Sequence, residues 1–358
     1  MNTEEQSSTE KFTGTMQVQE KLKFPEKELE SYLNDSVSEF EGPLEVREFK
    51  GGQSNPTYFI KTNKSDYVVR RKPPGKLLPS AHAVDREYKV ITALNKTDVP
   101  VPKTFSFCED VNVIGTPFFL MEHVKGSIYW DLLLPQSNAE ERRKIYLSMN
   151  ETIAKLHCVD FKAIGLEDYG KYENYMARQI HRWSKQYKDS ETQHIPEIDN
   201  LIDWLPKNIP EDEETSIVHG DFRLDNMVFD ENTLEVKAIL DWELSTLGSP
   251  IADFTYHMMA WRLPGGAKGL GILGANLKEL NIPAEDEYAE LYYKKTGRNK
   301  IENWDFFMAY NIFRLAGIAQ GIAGRVRDGT AASSQAKNYG EFVPILGKLG
   351  WDIVENIK

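Results

Sequence analysis

The stretch Ile217-Val218-His219-Gly220-Asp221-Phe222-Arg223-Leu224-Asp225-Asn226 decides how this chain is read. It continues through Met227-Val228-Phe229, a turn at Asp230-Glu231-Asn232, and an apolar run over 236–240 that ends at Asp241. Short β-branched and apolar runs separated by turn residues predict strand, polar loop, strand, turn, strand. If the last two runs form a hairpin, Asn226 before it and Asp241 after it lie side by side. Asp221 stands five positions before Asn226, within reach across a tight loop. Two carboxylates and an amide then converge at the ends of strands rather than inside them.

Hard oxygen donors of this kind suit Mg²⁺, which keeps several waters and binds through one or two carboxylates plus substrate phosphates. Asn226 and Asp241 are the candidate metal ligands. Asp221 is the candidate catalytic residue, able to accept or orient a hydroxyl proton. A lone Asp or Asn would read as an Asx turn. The full His-Gly-Asp-x-x-x-x-Asn string followed by an apolar hairpin ending in Asp is far more specific.

Other segments join this one: Gly51-Gly52-Gln53-Ser54-Asn55-Pro56-Thr57, Arg70-Arg71-Lys72-Pro73-Pro74-Gly75, Arg178-Gln179, and Leu240-Asp241-Trp242-Glu243. On these motifs the chain resembles the aminoglycoside phosphotransferase and choline kinase superfamily. Within it, the chain is similar to the branch associated with acyl-CoA dehydrogenases. The resemblance covers nearly everything from about residue 40 onward. It implies an α+β, protein-kinase-like two-lobe fold, with a small antiparallel β-sheet N-lobe plus one helix and a large, mainly α-helical C-lobe. The expected division is a disordered tail over 1–20, a nucleotide-binding N-lobe over 21–121, a hinge over 122–126 and a helical C-lobe over 127–358. ATP and Mg²⁺ are the implied cofactors, and Asp for the hydroxyl with Asn and a later Asp for the metal is the division of labour of such sites.

Working outward toward the N-terminus, residues 44–49 and 57–62 read as strands around a Gly-rich turn. Gly51, Gly52, Gln53, Ser54 and Asn55 are expected to lay backbone N–H groups over a nucleotide's phosphates. No Gly-Lys-Ser/Thr follows, so this is not a Walker A loop. A third strand over 67–70 places Arg70 on the face of Val68. Arg70 is the candidate for holding the α- and β-phosphates, with Arg71 and Lys72 as alternatives under a one-residue register shift. A helix over 83–94 carries Glu87 inside its apolar stripe, where a carboxylate is costly unless paired. Arg70 is the natural partner; the other reading leaves Glu87 at the edge of the stripe, reaching water. Strands over 105–109 and 117–121 complete the lobe. The resemblance implies that the backbone of Glu122 and Val124 meets adenine.

Toward the C-terminus, Asn138-Ala139-Glu140-Glu141 is a capping box opening a helix that ends near His157. Tyr175, Arg178 and Arg182 share a helical face. An ordinary amphipathic helix would give the same pattern, and a substrate wall with cationic side chains is the functional reading. Arg178, Arg182 and Arg223 are the candidate substrate contacts. Ser249 stands where many members of the superfamily carry Asp and is expected to matter for packing. Asp253 is expected to steady the backbone of the 219–221 loop. Residues 263–269 read as a flexible loop able to close over a substrate. Helices are expected over 284–296, 304–322 and 339–355.

The chain has 358 residues, 41% of them hydrophobic, enough for a sizeable core. A formal net charge of −12 argues against nucleic acid or an anionic membrane surface as partner. Cys108 and Cys158 sit in unlike contexts, so no disulfide framework is expected and a reducing cytoplasm fits. Residues 1–20 are polar, without a signal-peptide core, and no run of about 18 apolar residues occurs. The expected partner is a small molecule with a hydroxyl, phosphorylated at ATP's expense. The resemblance implies a hydroxy acid or hydroxyacyl-CoA and a functional link to an acyl-CoA dehydrogenase. An aminoglycoside- or choline-like cationic alcohol is the alternative. A non-catalytic nucleotide-binding pseudokinase would predict damaged catalytic positions, whereas Asp221, Asn226 and Asp241 are all present. No Ala-Pro-Glu string follows Asp241, which argues against a protein kinase.

Overall fold

The structure, a computed structural model, describes residues 14–50, 55–75, 82–211, 214–265, 271–329 and 339–357. The chain divides into two compact units. The first comprises Met1–Tyr169, Arg223–Ser245 and Leu277–Pro283; the second comprises Gly170–Phe222, Thr246–Asn276 and Ala284–Lys358. The polypeptide thus leaves the second unit between Asp221 and Asn226, and returns to it after Ser245. Segment 122–126, the expected hinge, lies within the first unit.

In the first unit, β1 (Thr15–Met16), β2 (Glu45–Phe49), β3 (Thr57–Lys61), β4 (Asp66–Arg71), β5 (Thr104–Cys108) and β6 (Phe118–Glu122) form one antiparallel sheet in the order β1-β2-β3-β4-β6-β5. β1 corrects the expected tail. Thr15 and Met16 pair with Phe49 and Glu48, and Gln19 donates from backbone and side chain to the Glu48 carboxylate. These bonds order a polar segment that composition alone reads as tail. Residues 1–13 lie outside the described residues.

Strand alternation sorts the two faces of the sheet. Tyr58, Ile60, Tyr67, Val69, Phe118 and Leu120 point to one core, with Leu29 and Leu33 of α1 (Glu26–Ser36). On the other face lies α2 (Val84–Leu94), whose Tyr88 ring stacks on Phe107 and tilts against Phe119. Arg71 follows the first face. It is 2% exposed, donates to Tyr58 Oη, Ile114 O and Leu22 O, and lies over the Phe24 and Tyr58 rings. Arg70 follows the other. The register Arg70↔Thr57 and Arg70↔Phe119 therefore decides between the candidate cations.

The remainder of this unit holds α3 (Ala139–Cys158), opened by the expected capping box between Asn138 and Glu141. It also holds the hairpin of Met227–Phe229 with Val236–Ile239. Just after segment 122–126, Ser127 joins that hairpin by a bridge to Phe229. A Cβ on Gly126 would collide with the Phe229 carbonyl oxygen, so glycine is what permits this approach.

The second unit is mainly helical: α4 (Tyr175–Ser190), α5 (Pro196–Trp204), α6 (Pro250–Met258), α7 (Glu285–Thr296), α8 (Trp304–Arg327) and α9 (Tyr339–Glu355). A short antiparallel ladder pairs Ser216–Val218 with Thr246–Gly248. The polar residues interrupting α8 each tie it to a neighbour. Asn311 donates to Ala252 O and Thr255 Oγ1, Arg314 to Gly220 O, and Gln320 to Ser190 O and Thr192 Oγ1. Among the described residues no helix is long and apolar enough to cross a membrane.

Candidate active site

Within the first unit, the expected ion pair is present. Arg70 Nε lies 2.7 Å from Glu87 Oε2, and Glu87 is 1% exposed. The same guanidinium reaches Asp241, Nη2 to Oδ1 at 2.6 Å, and stands 3.8 Å from Glu243 Oε2. Three carboxylates thus share one cation. Burial opposes the charge on Arg70, but Glu87, Asp241 and Glu243 outweigh it and hold the guanidinium firmly protonated. Burial also pushes the Glu87 carboxyl up to about 7; Arg70 opposes this, and Asp241 and Glu243 add to it.

The side chain of Asn55 has a structural task besides the backbone role expected of it. It is fully buried, its amide donates to Glu87 Oε1 at 2.7 Å, and its Oδ1 meets His82 Nδ1 at 3.0 Å. Its side chain braces Glu87 from the base of the loop. Glu87 in turn places its oxygens on Asn55 and Arg70, a brace for the guanidinium. Gly51, Gly52, Gln53 and Ser54 lie outside the described residues, as do 266–269 of the loop expected to close over a substrate. Glu122 ends β6, where its N–H donates to Lys103 O at 2.8 Å; the partly buried Val124 follows two residues on.

The hairpin is one residue off the expected register. Met227 faces Ile239 and Leu240 N–H donates to Asn226 O, so Asp241 stands one step beyond Asn226 rather than opposite it. Asp241 makes that step in a left-handed conformation, φ 63° and ψ 59°. For a non-glycine residue this is uncommon and costs energy, and such residues cluster at functional sites. Asn226 is buried at the end of a 3₁₀ turn. Amide and carboxylate oxygens together with an excess of negative charge around Arg70 form a donor set that fits a hard dication such as Mg²⁺. Arg223, an expected substrate contact, pairs with Asp225 at 3.0 Å and keeps an exposed side chain.

Within the second unit, the loop carrying Asp221 is held from several sides. Asp253 accepts from the backbone N–H groups of His219 and Gly220, both at 2.8 Å, as expected. Ser249 caps the helix that delivers Asp253, its Oγ accepting from Ala252 N. Gly220 has φ 81°, a left-handed turn suited to glycine. Asp221 N–H donates to His219 Nδ1 at 3.2 Å, and Asp221 Oδ1 accepts from Tyr256 Oη at 2.7 Å. Tyr256 escaped the sequence reading, although its place three residues after Asp253 on one helix puts both on one face. On α4, Tyr175 is buried, Arg182 is exposed, and the partly buried Arg178 donates to Lys171 O. The buried face of α4 is Tyr175, Met176, Ile180, Trp183 and Tyr187, the pattern of an ordinary amphipathic helix.

Comparison with known proteins gives the family and the fold. The Phosphotransferase enzyme family matches residues 45–291. The chain belongs to this family. A crystal structure of a candidate aminoglycoside phosphotransferase from Ralstonia eutropha is 48% identical, with a TM-score of 0.87, covering 94% of this chain and 100% of that one. The mouse acyl-CoA dehydrogenase family member 10 is 43% identical over 341 residues, 95% of this chain; the chain spans 32% of that relative's length. A spectinomycin phosphotransferase structure in complex with ADP and spectinomycin is 10% identical with a TM-score of 0.60, covering 92% of this chain and 98% of that one, a likeness of fold. The fold is kinase-like: an antiparallel N-terminal sheet of six strands with a largely helical remainder.

Proposed function

We propose that this family member is an ATP- and Mg²⁺-dependent kinase that phosphorylates a hydroxyl group of a small molecule, with a hydroxy acid or hydroxyacyl-CoA as acceptor. The observation that carries the reading is Arg70 bridging the buried Glu87 and the strained Asp241. Arg70 holds the triphosphate, and Glu87 and Asn55 keep its guanidinium in place. Asn226 and Asp241 hold Mg²⁺, which neutralises charge on the phosphates when bound. Asp221 takes the acceptor's hydroxyl proton as that oxygen forms its bond to the γ-phosphorus and ADP leaves. Positioning and charge neutralisation supply most of the rate. The backbone of Glu122 and Val124 meets the adenine, and the 51–55 loop covers the phosphates.

The acyl acceptor is supported by the mouse relative, named as an acyl-CoA dehydrogenase, whose remaining length leaves room for that second activity. A functional link to acyl-CoA dehydrogenase chemistry goes with this acceptor, and Arg178, Arg182 and Arg223 are candidate contacts for its anionic parts. Unpaired Cys108 and Cys158 suit a reducing cytoplasm. The second reading, a cationic alcohol such as an aminoglycoside, is favoured by the description of the Ralstonia structure. An assay of ADP release decides between them, run with 4-hydroxyacyl-CoA thioesters against kanamycin-like amines. Turnover of the thioesters is expected; turnover of the amines alone reverses the assignment.

A further inference from the structure

Resting on the phosphotransfer reading, we infer that Tyr256 and Arg314 are positioning residues for Asp221. Tyr256 sets the orientation of the carboxylate, and Arg314 fixes both the Tyr256 ring and the backbone beneath Asp221. The first observation is the 2.7 Å bond from Tyr256 Oη to Asp221 Oδ1. A carboxylate at the end of two rotatable bonds samples several orientations. A donor fixed on a helix selects one of them and assigns that oxygen a standing partner. The proton taken from an acceptor must then approach a carboxylate held in one pose, which is the condition for efficient transfer.

The second observation is Arg314. It is 7% exposed, it forms no ion pair with a carboxylate among the described residues, and its Nε has no hydrogen-bond partner there. Burying a guanidinium in this way is costly unless other contacts hold it. Here the contacts are directional. Nη2 donates to Gly220 O at 2.5 Å, and the guanidinium carbon stands 4.6 Å from the Tyr256 ring centroid and 5.4 Å from that of Trp183. The planar cation stacks against the ring whose hydroxyl holds Asp221, while its N–H holds the carbonyl just before Asp221. With Asp253 on the N–H groups of His219 and Gly220, the loop is held at three backbone polar groups and at its functional side chain. One helix supplies Asp253 and Tyr256 and another supplies Arg314, so the pose of Asp221 is set by elements outside its own loop.

The test uses the full chain, MgATP and a 4-hydroxyacyl-CoA thioester, comparing wild type with Tyr256→Phe, Arg314→Lys, Asp221→Asn and the Asp221→Asn/Tyr256→Phe double variant. Tyr256→Phe is expected to lower kcat by about tenfold to hundredfold, with KM for ATP within about twofold of wild type. In the Asp221→Asn background the same change is expected to have no further effect, because the carboxylate it positions is gone. Arg314→Lys keeps the charge but not the planar stack, and is expected to lower kcat by about tenfold. A wild-type kcat in Tyr256→Phe overturns the inference, as does an equal slowing in both backgrounds, which marks a structural role. If Tyr256→Phe does not fold, a wild-type kcat in Arg314→Lys overturns it instead. No ADP from wild type with any acceptor, or full activity in Asp221→Asn, overturns the proposed function itself and this inference with it.

Discussion

In the first unit the group at the centre is a cation, Arg70, ringed by Glu87, Asp241 and Glu243. In the second it is a carboxylate, Asp221, which accepts from the neutral hydroxyl of Tyr256 on a loop pinned by Asp253 and Arg314. The two arrangements answer to different variables. A charge-dense, partly buried cluster responds to protons, to divalent ions and to the loss of any one charge. A carboxylate held by a neutral donor on a braced loop responds to geometry. The first suits a region that must exchange partners when a triphosphate arrives; the second suits a group that must stay still while an acceptor approaches.

The sharpest break between them is expected in Asp221→Asn. Turnover should fall by a factor on the order of 10²–10⁴ from lost general-base help, while ADP affinity measured by calorimetry stays near wild type. A parallel loss of nucleotide affinity would erase the distinction between the regions. Next in size is Arg70→Met. Removing the shared cation leaves Glu87 buried without its charge partner, a cost of about 3–5 kcal/mol visible in denaturant unfolding, together with a raised KM for ATP.

The pH response separates the regions further. The folded chain binds the Glu87 proton more tightly than the unfolded chain does, because burial raises this carboxyl from 4.5 to about 7. Its contribution to stability is therefore whole below the lower value and is lost as pH rises through the upper one. Thermal unfolding of the wild type should weaken across that window by about 1–3 kcal/mol more than that of Glu87→Gln, which has no proton to lose. Identical pH profiles for the two would show that Glu87 is not the group responding. The smallest effect is expected at a residue that belongs to neither cluster. Asn138→Ala removes the capping box of α3 at a cost of about 1 kcal/mol and should leave kcat and KM unchanged.

Much of the first unit was legible because local chemistry and strand alternation point the same way. The Glu87 carboxylate inside an apolar stripe called for a cation, and the face of Val68 assigned it to Arg70. The capping box at Asn138 and the bracing role of Asp253 were legible for the same reason, since each is a short-range pattern with one physical use. The one-residue offset of Asn226 and Asp241 was not legible, because Leu240 extends the apolar run past the last ladder pair. The inward turn of Asn55 was hidden by its place in a loop motif, where its partner lies 32 positions away. Tyr256 and Arg314 are long-range partners of the loop carrying Asp221, and no local pattern around either residue announces the contact. Beta strand Thr15–Met16 was missed because a polar two-residue strand carries no periodicity.

The most direct test of the central claim is transfer of label from γ-³²P ATP to a 4-hydroxyacyl-CoA thioester, with wild type and Asp221→Asn side by side, each with and without Mg²⁺. The account predicts labelled acceptor and ADP in equal amounts from the wild type with Mg²⁺, and almost none without the ion or from the variant. Labelled acceptor formed equally well by Asp221→Asn, or nucleotide bound with no label passed to any alcohol, would contradict it.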